Sequence, residues 1–215
     1  MLLDLHCHTL EKSYDGKVPA AVVVRSLLER GFDGVVFTDH NSPWQPEELD
    51  ALRREANLPG EFFLGSGQEV RTALGDLIAG DLLVYGPLES IPDGTQITEV
   101  LELARRCGGH CIAAHAGAQM VGLGSRVGDF PLLAVETWNG RYGPRVAKES
   151  KELARRFGLM ETGGSDAHQE KELGGGGTLL PTRAYRWEEI AGHIASGEAR
   201  PWRPGLVGAL ERWWG

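Results

Sequence analysis

Three things are scarce in this chain, and each scarcity removes a class of function. Cysteine is the first, with only Cys7, Cys107 and Cys111 in 215 residues. Three cysteines form no disulfide framework. Cys107 and Cys111 lack a second pair that would complete a zinc site, so all three are expected to be buried free thiols. Long apolar runs are the second. Spanning a bilayer takes about 20 consecutive apolar residues, and no segment supplies them. The start of the chain runs straight into acidic and histidine residues and does not form a signal peptide. A cytoplasmic protein with no membrane attachment is the expectation. Positive charge is the third: 22 Lys and Arg face 30 Asp and Glu, for a formal net charge of -8. Nucleic acid is therefore not the favoured partner, although it is not excluded. A small phosphate ester remains open, because bound cations reverse the local field.

What is present is an alternation. Short apolar runs at 2–5, 34–38, 61–66, 77–85, 111–114, 132–137 and 159–162 read as strands. Amphipathic stretches at 18–30, 46–55, 95–106, 144–157 and 187–195 read as helices. Strands alternating with helices imply a parallel sheet with right-handed crossovers. About seven strands in one small domain favour a closed or nearly closed α/β barrel over an open sheet. The barrel is expected over residues 1–200. The tail, 201–215, carries Leu206, Val207, Leu210, Trp213 and Trp214 at helical spacing. It is expected to pack on the barrel or on a second subunit; the oligomeric state is open. The glycine run at 174–177 reads as a mobile loop, and there is no glycine-rich phosphate loop of the P-loop or dinucleotide type.

The chemistry-bearing residues gather at strand ends. His6 and His8 stand two apart just past the first strand, so in an extended chain they share a face and can share a metal. His40 follows the second strand, Glu69 the third, His115 ends a later one, and Asp166 and His168 end the last with the same two-residue spacing. In parallel barrels the C-terminal strand ends carry the active site. His110 and His193 do not fit this pattern and read as structural or exposed. Nitrogen and oxygen donors without thiolate suit zinc, manganese or iron. The donors outnumber what one catalytic zinc needs, which implies two or three divalent metals. Asp4 lies on the His6 face as a candidate for orienting a ligand. Asp39 should point the other way in a structural role.

The motifs His6-Cys7-His8-Thr9 with Ser13 and Asp15, Thr38-Asp39-His40, Glu69, Ala114-His115 and Ser165-Asp166-Ala167-His168 together resemble the PHP family, named for polymerase and histidinol phosphatase. The resemblance covers most of the chain. It implies a single-domain, distorted (β/α)7 barrel and a phosphoesterase in which a metal-bound hydroxide attacks phosphorus, supported by Glu69, Asp166 and His168. It places His6, His8, Glu69 and Asp166 around a first metal. Glu69 would bridge to a second metal held also by His115, and Asp15, His40 and His168 would hold a third. The family commonly has a further ligand seven residues after the glutamate, often His. Here that position is Asp76, with Asp81 as the competing candidate. Arg141, in a stretch also similar to the family, and more weakly Arg183 and Lys12, are candidates for gripping the phosphate of a small phosphorylated substrate. The open alternatives are a metal-dependent amide or ester hydrolase on a related barrel, and a non-catalytic domain stabilised by metal.

Overall fold

The computed structural model describes residues 1–205. β1 (Leu2–Cys7), β2 (Gly34–Phe37) and β3 (Phe63–Leu74) run parallel. β4 (Leu77–Tyr85) folds back antiparallel on β3, and β5 (His110–Ala113) is antiparallel to β4. β6 (Ala134–Asn139) and β7 (Met160–Gly164) continue parallel to β5. β8 (Gly177–Leu179) joins the other edge of β1, and β9 (Arg200–Trp202) joins β8. The described sheet therefore runs β7-β6-β5-β4-β3-β2-β1-β8-β9. Helices α1 (Ala20–Glu29), α2 (Pro46–Glu55), α3 (Ile97–Arg106), α4 (Gly143–Phe157) and α5 (Trp187–Ala195) connect or flank the strands.

The sheet comes close to closing on itself. Beyond the end of β7, Asp166 N–H donates to the His6 carbonyl at 2.7 Å and His8 N–H donates to the Ala167 carbonyl at 3.1 Å. The last parallel strand thus meets the first at the level where the histidines sit. Below that level the interior is apolar: Leu3, Leu5, Val36, Leu83, Tyr85, Ile112 and Ala134 pack with Ile190 and Ile194 of α5. Tyr85 donates to the Leu5 carbonyl at 2.7 Å, and Trp187 stacks on its ring at 4.1 Å. Glu69 lies opposite Leu83, and Glu136 follows Ala134 by two residues, so both carboxylates point to the same side as this apolar layer and cap it. Outside the sheet, α1 packs Val23, Val24 and Leu27 against Val35 and Phe37. α3 and α4 pack Ile97, Val100 and Ala154 against Val70, Ala113 and Val135.

The barrel is nearly closed, as expected, but it is not a run of seven parallel strands. β3 continues to Leu74 instead of stopping near residue 66, and then turns through Gly75 (φ +62°) into β4. A hairpin needs only a tight turn, whereas a parallel neighbour needs a long crossover. The span from Glu69 to Tyr85 therefore folds as an antiparallel ribbon. The glycine run is packed, not mobile: a Cβ on Gly176 would lie 2.1 Å from the Gly164 carbonyl oxygen, and Gly177 opens β8. β9 carries the sheet to Trp202, past the expected tail boundary, and Trp202 meets Phe32 edge-on at 5.4 Å. The rest of the tail reading, on residues 206–215, lies outside the described residues. Cys7 and Cys111 are buried and free, but Cys107 is exposed, because it caps α3 on its solvent side.

Gly164 shows how tightly β7 is set against the site. A Cβ there would stand 2.4 Å from His6 Cβ and 2.8 Å from Glu136 Oε1. Gly164→Ala is expected to lower stability by about 1–3 kcal/mol, read as an earlier urea midpoint at unchanged m-value. An unaltered midpoint would show that β1 and β7 are not in close contact.

Candidate metal centre

The local backbone explains why these side chains meet. His6 and His8 leave β1 on the same side, and both are fully buried. His115 and Asp166 have positive φ, +30° and +53°, a region that few non-glycine residues enter. Each sits where β5 or β7 ends. The left-handed turn is secured by a backbone hydrogen bond: His115 N–H to Glu136 Oε2 at 2.8 Å, and Asp166 N–H to the His6 carbonyl.

Among the described residues, three overlapping sets of ligand atoms result, each with its atoms within 4.8 Å of one another: His6, His8, Glu69 and Asp166; His8, Asp15, His40 and His168; and Glu69, Asp81 and His115. His8 belongs to the first two sets, and Glu69 to the first and third. In the first set, His6 Nε2 lies 3.2 Å from Glu69 Oε2 and 3.6 Å from Asp166 Oδ1, and His8 Nε2 lies 3.2 and 3.5 Å from the same atoms. Four ligands about 2.1 Å from a tetrahedral ion stand about 3.4 Å apart, so these separations suit a metal. His8 Nε2 and Asp15 Oδ1 are buried with no hydrogen-bond partner, which is costly unless something binds there. The donor set fits divalent ions.

A second layer of contacts fixes which nitrogen faces inward. His6 Nδ1 is 3.0 Å from Glu136 Oε1, His8 Nδ1 is 3.0 Å from Ser13 Oγ, and His168 Nδ1 is 2.9 Å from the Asp166 carbonyl. With Nδ1 tied, each ring turns Nε2 toward the carboxylates. Asn139 Nδ2 donates to Glu136 Oε2 and to Asp166 Oδ2. Asp4 Oδ1 accepts from the backbone of His6 and Ser165, and burial raises its carboxyl to about 6. Asp39 faces away, accepting from Thr9 and Trp44. Ser13 and Asn139 touch ligands directly, at His8 Nδ1 and Asp166 Oδ2, roles that the motifs containing them do not specify. Glu136 does the same, and its two-residue offset from the buried Ala134 was the available signal.

Charge in this pocket is strongly coupled. Burial works against protonation of His8, but Asp166 and Glu69 outweigh it and raise the imidazole to about 9. Against the same burial, Glu136, Asp166 and Glu69 hold His6 well above its ordinary value. Burial also works against ionising Glu69, yet His6 and His115 hold it well below the usual carboxylate range.

Comparison with known proteins bears on this geometry. Residues 145–199 match a family model described as PHP-associated. A search of curated protein sequences gives no match. Among solved structures, a protein of Bifidobacterium adolescentis assigned as a metal-dependent phosphoesterase superposes with a TM-score of 0.62 at 17% identity, covering 91% of this chain and 96% of its own. An amidohydrolase of Chromobacterium violaceum with bound sulfate and no metal gives 0.65 at 16% identity, covering 96% and 99%. The lesion-specific endonuclease Q of Pyrococcus furiosus gives 0.61 at 16% identity, covering 93% of this chain but 57% of its own. The chain shares the fold of these proteins.

Within this fold, two candidate residues prove misplaced. Asp76 is exposed in the β3–β4 turn. Leu74, beside it, is already about 17 Å along the strand from Glu69 at the usual rise per residue. The seven-residue offset misleads here because β3 does not end at Glu69. Asp81 occupies the site instead, buried with Glu69 and His115. Arg183 pairs with Asp33 at 3.2 Å. Asp33 also accepts from Leu2 N–H, so Arg183 is at the opposite barrel end and does not face the metal centre. Lys12 pairs with Glu48 at 2.7 Å. Arg141 does reach the mouth: its Nη1 lies 2.7 Å from His168 Nδ1 and 3.9 Å from Asp166 Oδ1. His110 and His193 hydrogen-bond Trp187 and Glu198, away from the site.

Metal must displace protons from the histidines. With His8 raised from 6.5 to about 9, the metal-free protein gains stability from this group below about 6.5 and loses it as pH rises through 9. Metal affinity should accordingly rise with pH over that window. Titration calorimetry at pH 7 in two buffers of different ionisation enthalpy should show net proton release on Mn2+ binding; identical heats would contradict the charge assignment. Asp76→Ala should leave bound metal unchanged by elemental analysis, while Asp81→Ala should lose an ion.

Proposed function

We propose that this protein is a metal-dependent phosphoesterase that hydrolyses a small phosphomonoester or a nucleotide. The observation that carries the reading is the sharing of His8 and Glu69 among three adjoining ligand sets at the barrel mouth. Adjoining sets suit phosphoryl transfer better than a single hydrolytic zinc. The phosphoesterase of Bifidobacterium adolescentis, similar over nearly its whole length, supports the same reading. The metals are read as zinc, manganese or iron, since imidazole and carboxylate donors dominate and no thiolate joins them. Bound there, divalent ions would supply charge neutralisation for the phosphoryl group and an activated water.

The chain's own residues do the rest. Glu69 and Asp166 are buried among imidazoles and held anionic by them. They keep the cradle in place without reorganisation during reaction. Glu136, Ser13 and the Asp166 carbonyl hold the Nδ1 atoms of His6, His8 and His168. Arg141 is half-exposed beside His168 and is placed to take a phosphate oxygen. No helix among the described residues is long and apolar enough to cross a membrane.

The endonuclease Q likeness raises a second reading, in which the phosphate belongs to a nucleic acid. The net charge of -8 supports a small ester over a long duplex. The amidohydrolase likeness keeps amide substrates within the screen.

Mn2+-loaded protein is expected to release inorganic phosphate from sugar phosphates or nucleotides. His8→Ala and Asp166→Ala should each lower kcat/KM by about 100-fold or more, and Arg141→Met should act mainly on KM. Turnover confined to amides, or full phosphatase activity in chelator, would contradict the proposal. Cleavage of oligonucleotides in preference to monoesters would favour the second reading.

A further inference from the structure

The Glu69, Asp81 and His115 set differs from the other two because its aspartate is already held by a cation of the protein. Arg71 Nε donates to Asp81 Oδ1 at 2.9 Å, and Nη2 donates to Oδ2 at 3.0 Å. This is the parallel fork in which guanidinium and carboxylate match best. The two residues face each other across the β3–β4 ribbon. The backbone fixes both. Arg71 N–H donates to Asp93 Oδ1 at 3.0 Å, its carbonyl accepts from Gly94 at 2.8 Å, and Asp81 N–H donates to the Val121 carbonyl at 2.8 Å. The Asp81 side chain is 4% exposed and that of Arg71 39%, so solvent screens the pair only in part. The guanidinium keeps its charge at any working pH.

The other carboxylates of the three sets are not held in this way. The salt bridges of Asp15 and Glu69 are to histidines alone among the described residues. The Arg141 atom nearest Asp166 stands 3.9 Å from Oδ1, and Arg141 leans on His168. A divalent ion beside Asp81 would have to share that carboxylate with a fixed positive charge. It would meet like-charge repulsion from a guanidinium forked onto the ligand carboxylate itself, whereas Arg141, near the His8 sets, stands 3.0 Å from His168 Nε2 and is not forked onto a carboxylate.

We propose that Arg71 is a built-in competitor for the metal at the Glu69, Asp81 and His115 position, so that this ion binds last and exchanges most readily. The inference rests on the metal-dependent reading above, but only through the ligand sets; it requires no turnover. Occupancy of this position would then follow the free metal concentration while the other positions stay filled.

The test is equilibrium binding of Mn2+ to the full chain at stepped free concentrations, with bound manganese counted by elemental analysis. In the unmodified protein the loosest ion should bind about tenfold or more weakly than the next. Arg71→Met should tighten that ion by about tenfold or more and leave the tighter ions unchanged. Arg71→Lys, which keeps the charge but not the fork, should fall between; it carries the test if Arg71→Met does not fold. Asp81→Asn should remove the loosest ion in either background. If Arg71→Met binds that ion no better, or worse, Arg71 is orienting Asp81 for the metal and the proposal is overturned. Failure of the unmodified protein to bind Mn2+ would overturn the metal-dependent reading as well.

Discussion

The rest of the structure is arranged around one buried carboxylate. Glu69 is 2% exposed and has His6, His8, His40 and His115 around it. An ionised carboxylate in such a place is tolerated only if it is paired or bound to a cation. Three places deliver the compensating imidazoles to the middle of β3: the end of β1 with His6 and His8, the segment after β2 with His40, and the end of β5 with His115. The near-closure of the barrel follows from the same need. The hydrogen bonds between 6–8 and 166–167 bring Asp166 against His6 and His8, and the positive φ values at His115 and Asp166 turn those ligands inward.

Much of this was legible from sequence because it follows simple periodicity. His6 with His8, and Asp166 with His168, are two-residue repeats at strand ends, and the structure brings all four together. The helix at 46–55 was legible because Ser42-Pro43 precedes it, and the structure adds a capping box between Gln45 and Glu48. Gly158, at φ +66°, ends α4 where a helix stop was expected.

What was not legible depended on tertiary geometry. Nothing local shows that the strand carrying Glu69 continues to Leu74 and folds back, which leaves Asp76 exposed in the turn and brings Asp81 beside Glu69 and His115. Glu136 looked like part of a phosphate-gripping stretch, but its oxygens bind His6, the His115 backbone and Asn139. β8 was hidden by its glycines: they reflect close contact between backbones, a constraint that resembles flexibility when read as composition. Arg183 could not be assigned to an end of the barrel until its partner Asp33 was seen.

The three ligand sets are unequal. The first is the most enclosed, the set with Asp15 opens toward solvent, and the set with Asp81 is shared with Arg71. That inequality is the central structural claim, and anomalous diffraction from Mn2+-soaked crystals tests it most directly. Strong peaks are expected between His6, His8, Glu69 and Asp166 and between His8, Asp15, His40 and His168, with a weaker one beside Asp81. A single peak, or none within the reach of His8, would contradict it.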